Sequence, residues 1–144
     1  MVSLLLDAGA DMHAPGRFGR DALEEACESG HMNVVRLLLE RSTVEVPLPE
    51  RCGRALLNAA REGDLASIQL LLDKGVDVDY QDDIKWTALM VAAQAGSVET
   101  VGFLLDGNAD PNLIDVQRKT ALQKATEAGH DGVRGLLLRH GARE

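Results

Sequence analysis

The sequence predicts an all-α solenoid: stacked helix-turn-helix units joined by β-hairpin-like loops. Three observations carry this. Segments beginning at Asp21, Arg54, Thr87 and Thr120 recur every 33 residues without insertion or deletion. Each opens with Ala-Leu one place on, carries small side chains three and four places after that leucine, and closes on glycine. Aromatic residues make up only 3% of a chain that is 45% apolar, so a thin body built from Leu, Val and Ala is expected rather than a thick core.

The first helix of each unit starts beside Asp21, Arg54, Thr87 or Thr120. Three of these four side chains can accept a hydrogen bond from the exposed amides of a helix start; Arg54 cannot. The small pairs Ala26 and Cys27, Ala59 and Ala60, Ala92 and Ala93, and Ala125 and Thr126 then fall on one helical face. Such a face lets a neighbouring helix approach closely. Gly30, Gly63, Gly96 and Gly129 can take the left-handed conformation that ends a helix.

A second helix follows at once. Its apolar marks are Val34, Val35 and Leu37 to Leu39, then Ile68 and Leu70 to Leu72. The third set is Val101 and Phe103 to Leu105, and the fourth is Val133 and Leu136 to Leu138. The signals Gly75-Val76-Asp77, Asn108-Ala109-Asp110 and Gly141-Ala142 then reverse the chain into an extended hairpin. No single unit can bury its own leucine face, so neighbours must stack.

The stretches "TALMVAAQAG", "GHMNVVRLLL", "LLLDAGAD" and "NADPN" carry a resemblance. The pattern resembles the ankyrin repeat, with its T-P-L-H-x-A-A, G-H, V-V-x-L-L and G-A-D-x-N segments. Alanine replaces the motif's proline in all four copies, a mild change at a helix start. The segment Ser42 to Pro49, "STVEVPLP", stands where the closing turn is expected, which predicts an altered hairpin there. One domain spans 1–144: a partial repeat at 1–15, full repeats at 16–48, 49–81 and 82–114, and a capping repeat at 115–144. The opening "VSLLLDAGAD" is either a true start with half a repeat or a boundary, natural or engineered, inside a longer array, and its apolar face favours the boundary. Lys124, Thr126, Glu127, Arg134 and Arg139 make the last unit polar, as a cap would be.

Catalytic and metal motifs are missing from the sequence: no phosphate loop, no nucleophile elbow and no metal-spaced histidines. His31 and His130 follow the repeat glycine and read as inter-repeat hydrogen-bonding residues, while His13 and His140 lie in or near turns. Cys27 and Cys52 fit no metal or disulfide pattern, which suggests a reducing compartment. Cys27 reads as a packing residue, and Cys52 as a turn residue within reach of solvent. Glu24, Glu25 and Glu28 read as a solvated helix face. The net charge of −8 disfavours general nucleic-acid binding, and no apolar run approaches the roughly 18 residues of a membrane span.

Counting charge by place in the unit is more informative. The hairpin tips and helix entries hold the bases Arg17, Arg20, Arg51, Arg54, Lys85, Arg118 and Lys119 against the acids Asp21, Glu50 and Asp83. A basic row of fingers beside an acidic body is therefore expected. Trp86, the only tryptophan, occupies the place of Arg20, Gly53 and Lys119 in the other units, so no core requirement explains it. It either meets a partner or packs over a neighbouring finger. Phe18, Ile84 and Met90 could extend an apolar strip beside it, with Tyr80 a weaker candidate.

The resemblance implies a protein-binding scaffold without chemistry of its own, which binds through its concave face and hairpin fingers. Its expected partner-binding residues are Arg17, Phe18, Arg20, Arg51, Ile84, Trp86, Met90 and Lys119. The partner is another protein with an acidic segment near an apolar one; no cofactor, metal, nucleic acid or membrane is called for, and the chain is expected to be monomeric. The expected location is cytoplasmic, with the nucleus as the alternative. Two other functions are carried. One is an enzyme converting a small molecule in the concave groove with Glu25, Asn58 and Lys124 as acid, base or orienter. The other is a substrate of an asparaginyl hydroxylase, modified at Asn112.

Overall fold

The computed structural model describes residues 22–29, 31–41 and 52–143. These residues form eight helices in four pairs and no strand. In chain order they are α1 (Ala22–Ser29), α2 (Met32–Arg41), α3 (Gly53–Glu62), α4 (Leu65–Asp73), α5 (Ala88–Ala95), α6 (Val98–Asp106), α7 (Ala121–Ala128) and α8 (Asp131–Arg139). The expected half unit at 1–15 and the altered hairpin at 42–49 lie outside the described residues.

The first helices α1, α3, α5 and α7 pack one on the next in a single row, and each second helix folds back on its own first helix. Ala59, Ala60, Ala92, Ala93 and Ala125 have no exposed surface, and neither does Cys27. Their small volume is what brings the first helices together. On the second helices Leu38, Ile68, Leu71, Val101, Leu104, Val133 and Leu137 are buried to 1% exposure or less. Each such side chain stabilises the stack by about 1.5–3 kcal/mol, provided the neighbouring unit is present to cover it.

Local signals set the helix ends. Thr87 Oγ1 accepts from the Met90 amide at 3.2 Å. Thr120 Oγ1 accepts from the Gln123 amide at 3.3 Å while Gln123 Oε1 accepts from the Thr120 amide at 3.0 Å, a reciprocal capping box. Gly63, Gly96 and Gly129 end α3, α5 and α7 with φ of 72°, 78° and 79°. Helix α3 starts two places early in its unit, at Gly53, because Arg54 has no oxygen to cap the next turn.

One expectation is corrected here. Cys27 and Cys52 form a disulfide, with Cα atoms 4.9 Å apart and neither residue exposed. Cys27 lies on α1 and Cys52 immediately precedes α3, so the bond ties two neighbouring units together. Stacking brings together residues 25 apart in sequence that hold different places in their units. Cys52 is therefore not a reachable thiol, and the pairing removes the ground for inferring a reducing compartment. Among the described residues no helix is long and apolar enough to cross a membrane.

Candidate partner-binding surface

The fingers of the last two units are built alike, each around an aspartate. Asp82 Oδ1 accepts from the amides of Ile84 at 3.1 Å and Trp86 at 2.8 Å. Asp115 Oδ1 accepts from Gln117 at 2.8 Å and Lys119 at 3.0 Å. The backbone closes each finger as a three-residue loop: Asp82 N donates to Trp86 O and Asp115 N to Lys119 O, both at 3.1 Å. Lys85 and Arg118 turn the corner with φ of 59° and 63°. No continuous strand forms, yet the fingers are hairpin-like as expected. Asp82 and Asp115 were missed in the sequence; their recurrence at the same place in two units was the available signal.

The two fingers lie side by side. Val116 N donates to Ile84 O at 3.2 Å, and Gln81 Nε2 donates to both Lys85 O and Ile114 O, at 3.1 and 3.2 Å. Arg54 reaches Asp83 on the next finger at 2.7 Å. This arrangement leaves Ile84, Ile114 and Val116 exposed by 48%, 43% and 58%. Ile114 and Val116 belong to this apolar tip although the sequence reading, centred on charge, passed over them. Lys85 and Arg118 flank it and are exposed.

The remaining expected site residues fare differently. Arg17, Phe18, Arg20 and Arg51 lie outside the described residues. Met90 is 1% exposed and belongs to the core, so it offers no surface; it sits on the stacking face of α5, where a long apolar side chain is buried. Lys119 is half-buried, its Nζ 2.8 Å from Glu127 Oε1. Trp86 is part-exposed and packs over Lys124, whose Nζ lies 3.9 Å from the ring centroid. Lys124 is 6% exposed and forms an ion pair with the buried Asp115 at 2.6 Å. Burial alone would raise the Asp115 carboxyl, but the Lys124 ammonium and the Lys119 and Gln117 amides outweigh it and hold the group below the ordinary carboxylate range. Tyr80 lies against Gly53, whose missing side chain makes the space for its ring.

Other bonds join neighbouring units away from the finger tips. His130 Nε2 is 3.1 Å from Gln94 O, as the inter-repeat reading of that histidine expected. Arg36 Nη2 lies 3.0 Å from Asp64 Oδ2, across two units. Asn112 Oδ1 accepts from the Arg143 amide at 2.9 Å and its Nδ2 donates to Gly141 O at 3.2 Å. Both polar atoms of the Asn112 side chain are thus engaged within the chain. Of the residues imagined as a catalytic set, Glu25 is exposed, Asn58 is half-buried and Lys124 is committed to Asp115. Among the described residues no cluster suited to a metal is present.

A family profile of ankyrin repeats, in three copies, matches residues 56–143. The chain belongs to the ankyrin-repeat family. It is 38% identical over 82 residues to an ankyrin repeat and KH domain-containing protein of Caenorhabditis briggsae, an overlap of 54% of this chain and 3% of that protein. It is 37% identical over 73 residues to a probable E3 ubiquitin-protein ligase of Oryza sativa subsp. japonica, covering 50% of this chain and 14% of the ligase. A protein named for ankyrin repeats, YahD of Escherichia coli (strain K12), is 31% identical over 81 residues, covering 52% of this chain and 40% of YahD. The chain thus spans well under half the length of each of these relatives. Ankyrin repeats generally mediate protein–protein interaction and are typically non-catalytic.

Proposed function

We propose that this ankyrin-repeat chain is a non-catalytic binding module that holds a segment of another protein, acidic and apolar in character, along its row of fingers. The observation that supports this most is the paired tip: Ile84 and Val116 on hydrogen-bonded neighbouring fingers, both about half exposed, with cationic Lys85 and Arg118 beside them. Exposed aliphatic side chains in a row across adjacent units leave about half of their surface uncovered by the described residues. The part-buried Trp86 and Lys119 are taken to border the same surface. Arg17, Phe18, Arg20 and Arg51 extend it in this reading, by their corresponding places in the earlier units. The reading also keeps four full repeats and a preceding half repeat, on the strength of the 33-residue register.

The test is a titration of the chain with a peptide of alternating leucine and glutamate. Ile84→Ser combined with Val116→Ser, both at exposed sites, should weaken binding about tenfold, the equivalent of losing two partly buried aliphatic contacts. Binding should also weaken as salt is raised, since charge steers the encounter. Equal affinity of the chain and the double variant would remove the fingers from consideration.

A further inference from the structure

The third helix pair departs from the others at two places, and both fall on one groove. Phe103 stands where Leu37, Leu70 and Leu136 stand in the other units. Gly107 stands where Arg41, Lys74 and His140 stand, so this pair alone among the four lacks a basic side chain at that place. The groove, of about 510 Å³, is lined by the C-terminal parts of α4 and α6 and by the chain that follows α4. Its apolar walls are Leu72, Val76, Val78 and Phe103, all half-buried. Gln69, Asp73, Asp106 and Gly107 complete it. None of these residues belongs to the first helices or to the finger tips.

The groove is apolar within and carries uncompensated negative charge. Two carboxylates, Asp73 and Asp106, stand among its walls with no cation beside them; Lys74, next to Asp73 in the chain, is not one of the walls. Asp73 Oδ1 accepts from Gln69 Nε2 at 2.6 Å, a neutral donor that leaves the charge in place. Asp106 makes no ion pair among the described residues. Helices α4 and α6 also end here, and the negative ends of their dipoles add to the same field. The occupant that satisfies this lining is cationic at its tip and apolar along its stem. An arginine side chain is both, and its planar guanidinium can lie on an aromatic ring while bonding carboxylates at its edge. Phosphates of a nucleic acid or of an anionic lipid surface are repelled by the same two groups.

We propose that this groove is a second docking surface, which takes an arginine side chain from an apolar and basic segment of a protein partner. The guanidinium rests on Phe103 between Asp73 and Asp106, and the flanking aliphatic residues rest on Leu72, Val76 and Val78. The surface shares no residue with the finger tips and selects the opposite charge. It therefore stands whether or not the fingers bind, and it gives the chain a place for a second partner segment.

The experiment is a titration of the full isotope-labelled chain, followed by its amide resonances, with a blocked pentapeptide carrying one arginine between leucines and with its citrulline counterpart. Salt of about 0.15 M screens charges beyond about 8 Å, so distant acids of the body contribute little. The amides of Gln69, Leu72, Phe103 and Gly107 should shift while those of Ile84 and Val116 stay in place. The arginine peptide should bind about fivefold more tightly than the citrulline one, as two part-exposed ion pairs allow. Asp73→Asn with Asp106→Asn, both at exposed sites, should abolish that preference. Gly107→Lys should abolish it with both carboxylates kept, by supplying the missing cation. Its backbone accepts a side chain, since φ −82° and ψ 14° at Gly107 nearly match φ −85° and ψ 3° at Lys74. No shift in the groove, equal affinity for the two peptides, or a preference that survives Gly107→Lys would each overturn the assignment. The leucine–glutamate titration of the fingers is a separate measurement, so failure of one surface is distinguishable from failure of the other.

Discussion

The indole of Trp86 covers the ammonium of Lys124, which lies 3.9 Å from the ring centroid and 2.6 Å from Asp115 Oδ2. Trp86 comes from one unit; Lys124 and Asp115 come from the next. The pair is almost fully enclosed, and Asp115 also holds its finger closed through Oδ1. Lys124→Met should therefore leave a buried carboxylate without its counter-charge and cost about 3–5 kcal/mol. Adding Asp115→Asn should recover part of that loss. Trp86→Leu should cost about 1–2 kcal/mol through the lost cation–π contact. Urea denaturation of the four chains as a double-mutant cycle measures the coupling, and strict additivity of Lys124→Met and Asp115→Asn would contradict it.

Apart from the finger aspartates Asp82 and Asp115, the parts of this arrangement that repeat were legible in the sequence, and the parts that occur once were not. Thr87 and Thr120 marked their helix starts because hydroxyls at that place cap an exposed turn. Arg54, at the same place, gave no start signal, and α3 begins early there. The alanine face and the glycine stops were readable for the same reason: each recurs in every unit. Lys124 has no equivalent in the unit before, where Val91 holds its place, so no periodicity exposed its pairing with Asp115 nine residues away. Cys27 and Cys52 hold different places in their units and meet only through stacking. The charge count found Lys85, Arg118 and Lys119 but concealed Val116 and Ile114, which are uncharged and interleaved with them.

Asp79 and Asn112 occupy the same place in successive units and make different bonds. Asp79 Oδ1 accepts from the Asp110 amide at 2.8 Å, as Asn112 Oδ1 does from Arg143, but only the asparagine also has a donor, used on Gly141 O. Burial raises the Asp79 carboxyl above its ordinary value, the Asp77 and Asp110 carboxylates add to this, and the Asp110 amide opposes it. A carboxyl raised in the folded state favours folding below its unfolded pKa and loses that contribution as pH rises through the folded value. At neutral pH Asp79 is therefore ionised at a cost. Asp79→Asn should raise the melting temperature at pH 7, with about 0.5–1.5 kcal/mol from one added hydrogen bond, and the gain should shrink toward pH 4. A lower melting temperature at pH 7 would count against this account.

Asp64 behaves in the opposite sense. Burial would raise its carboxyl, but the Ser67 hydroxyl and amide and the Arg36 guanidinium reverse the shift and leave it below the ordinary 3.8. Asp115 is depressed likewise, its Lys124 partner and two amides overcoming burial. Their stabilising contributions are complete above the unfolded value and are lost as pH falls through the lower folded values. Unfolding followed by circular dichroism should thus show stability falling steeply below pH 3.8. In Asp64→Asn the fall should be shallower, since one of the two linked groups no longer titrates. An unchanged acid limb would contradict the role given to Asp64.

Gly96 and Gly129 end equivalent helices with nearly equal φ, 78° and 79°, but differ in their surroundings. A Cβ at Gly96 would come within 2.6 Å of the His130 ring, whereas one at Gly129 would meet nothing within 4 Å. Gly129→Ala therefore reports the backbone strain alone, about 1 kcal/mol. Gly96→Ala should cost more, because the ring that bonds Gln94 O must also move. Thermal melts of the two variants, each with and without His130→Ala, separate the terms. The excess at Gly96 should vanish when the imidazole is gone, and its persistence would show that the ring is not what crowds the site.

The disulfide between Cys27 and Cys52 closes a loop of 25 residues across the first two helix pairs. Cross-links over loops of that order stabilise by about 3 kcal/mol, chiefly by restricting the unfolded chain. In a repeat stack the benefit is local, because each unit rests mainly on its neighbours. Reduction should therefore loosen α1 and α2 while α5 to α8 keep their protection, a pattern that hydrogen exchange resolves helix by helix. Cys27→Ala with Cys52→Ala should reproduce the reduced pattern, since alanine fills the equivalent place of Cys27 in the next two units, at Ala60 and Ala93. Maleimide labelling of the denatured, unreduced chain should find no thiol. Two labelled thiols, or uniform loss of protection along all eight helices on reduction, would show that the bond does not brace the first units in this way.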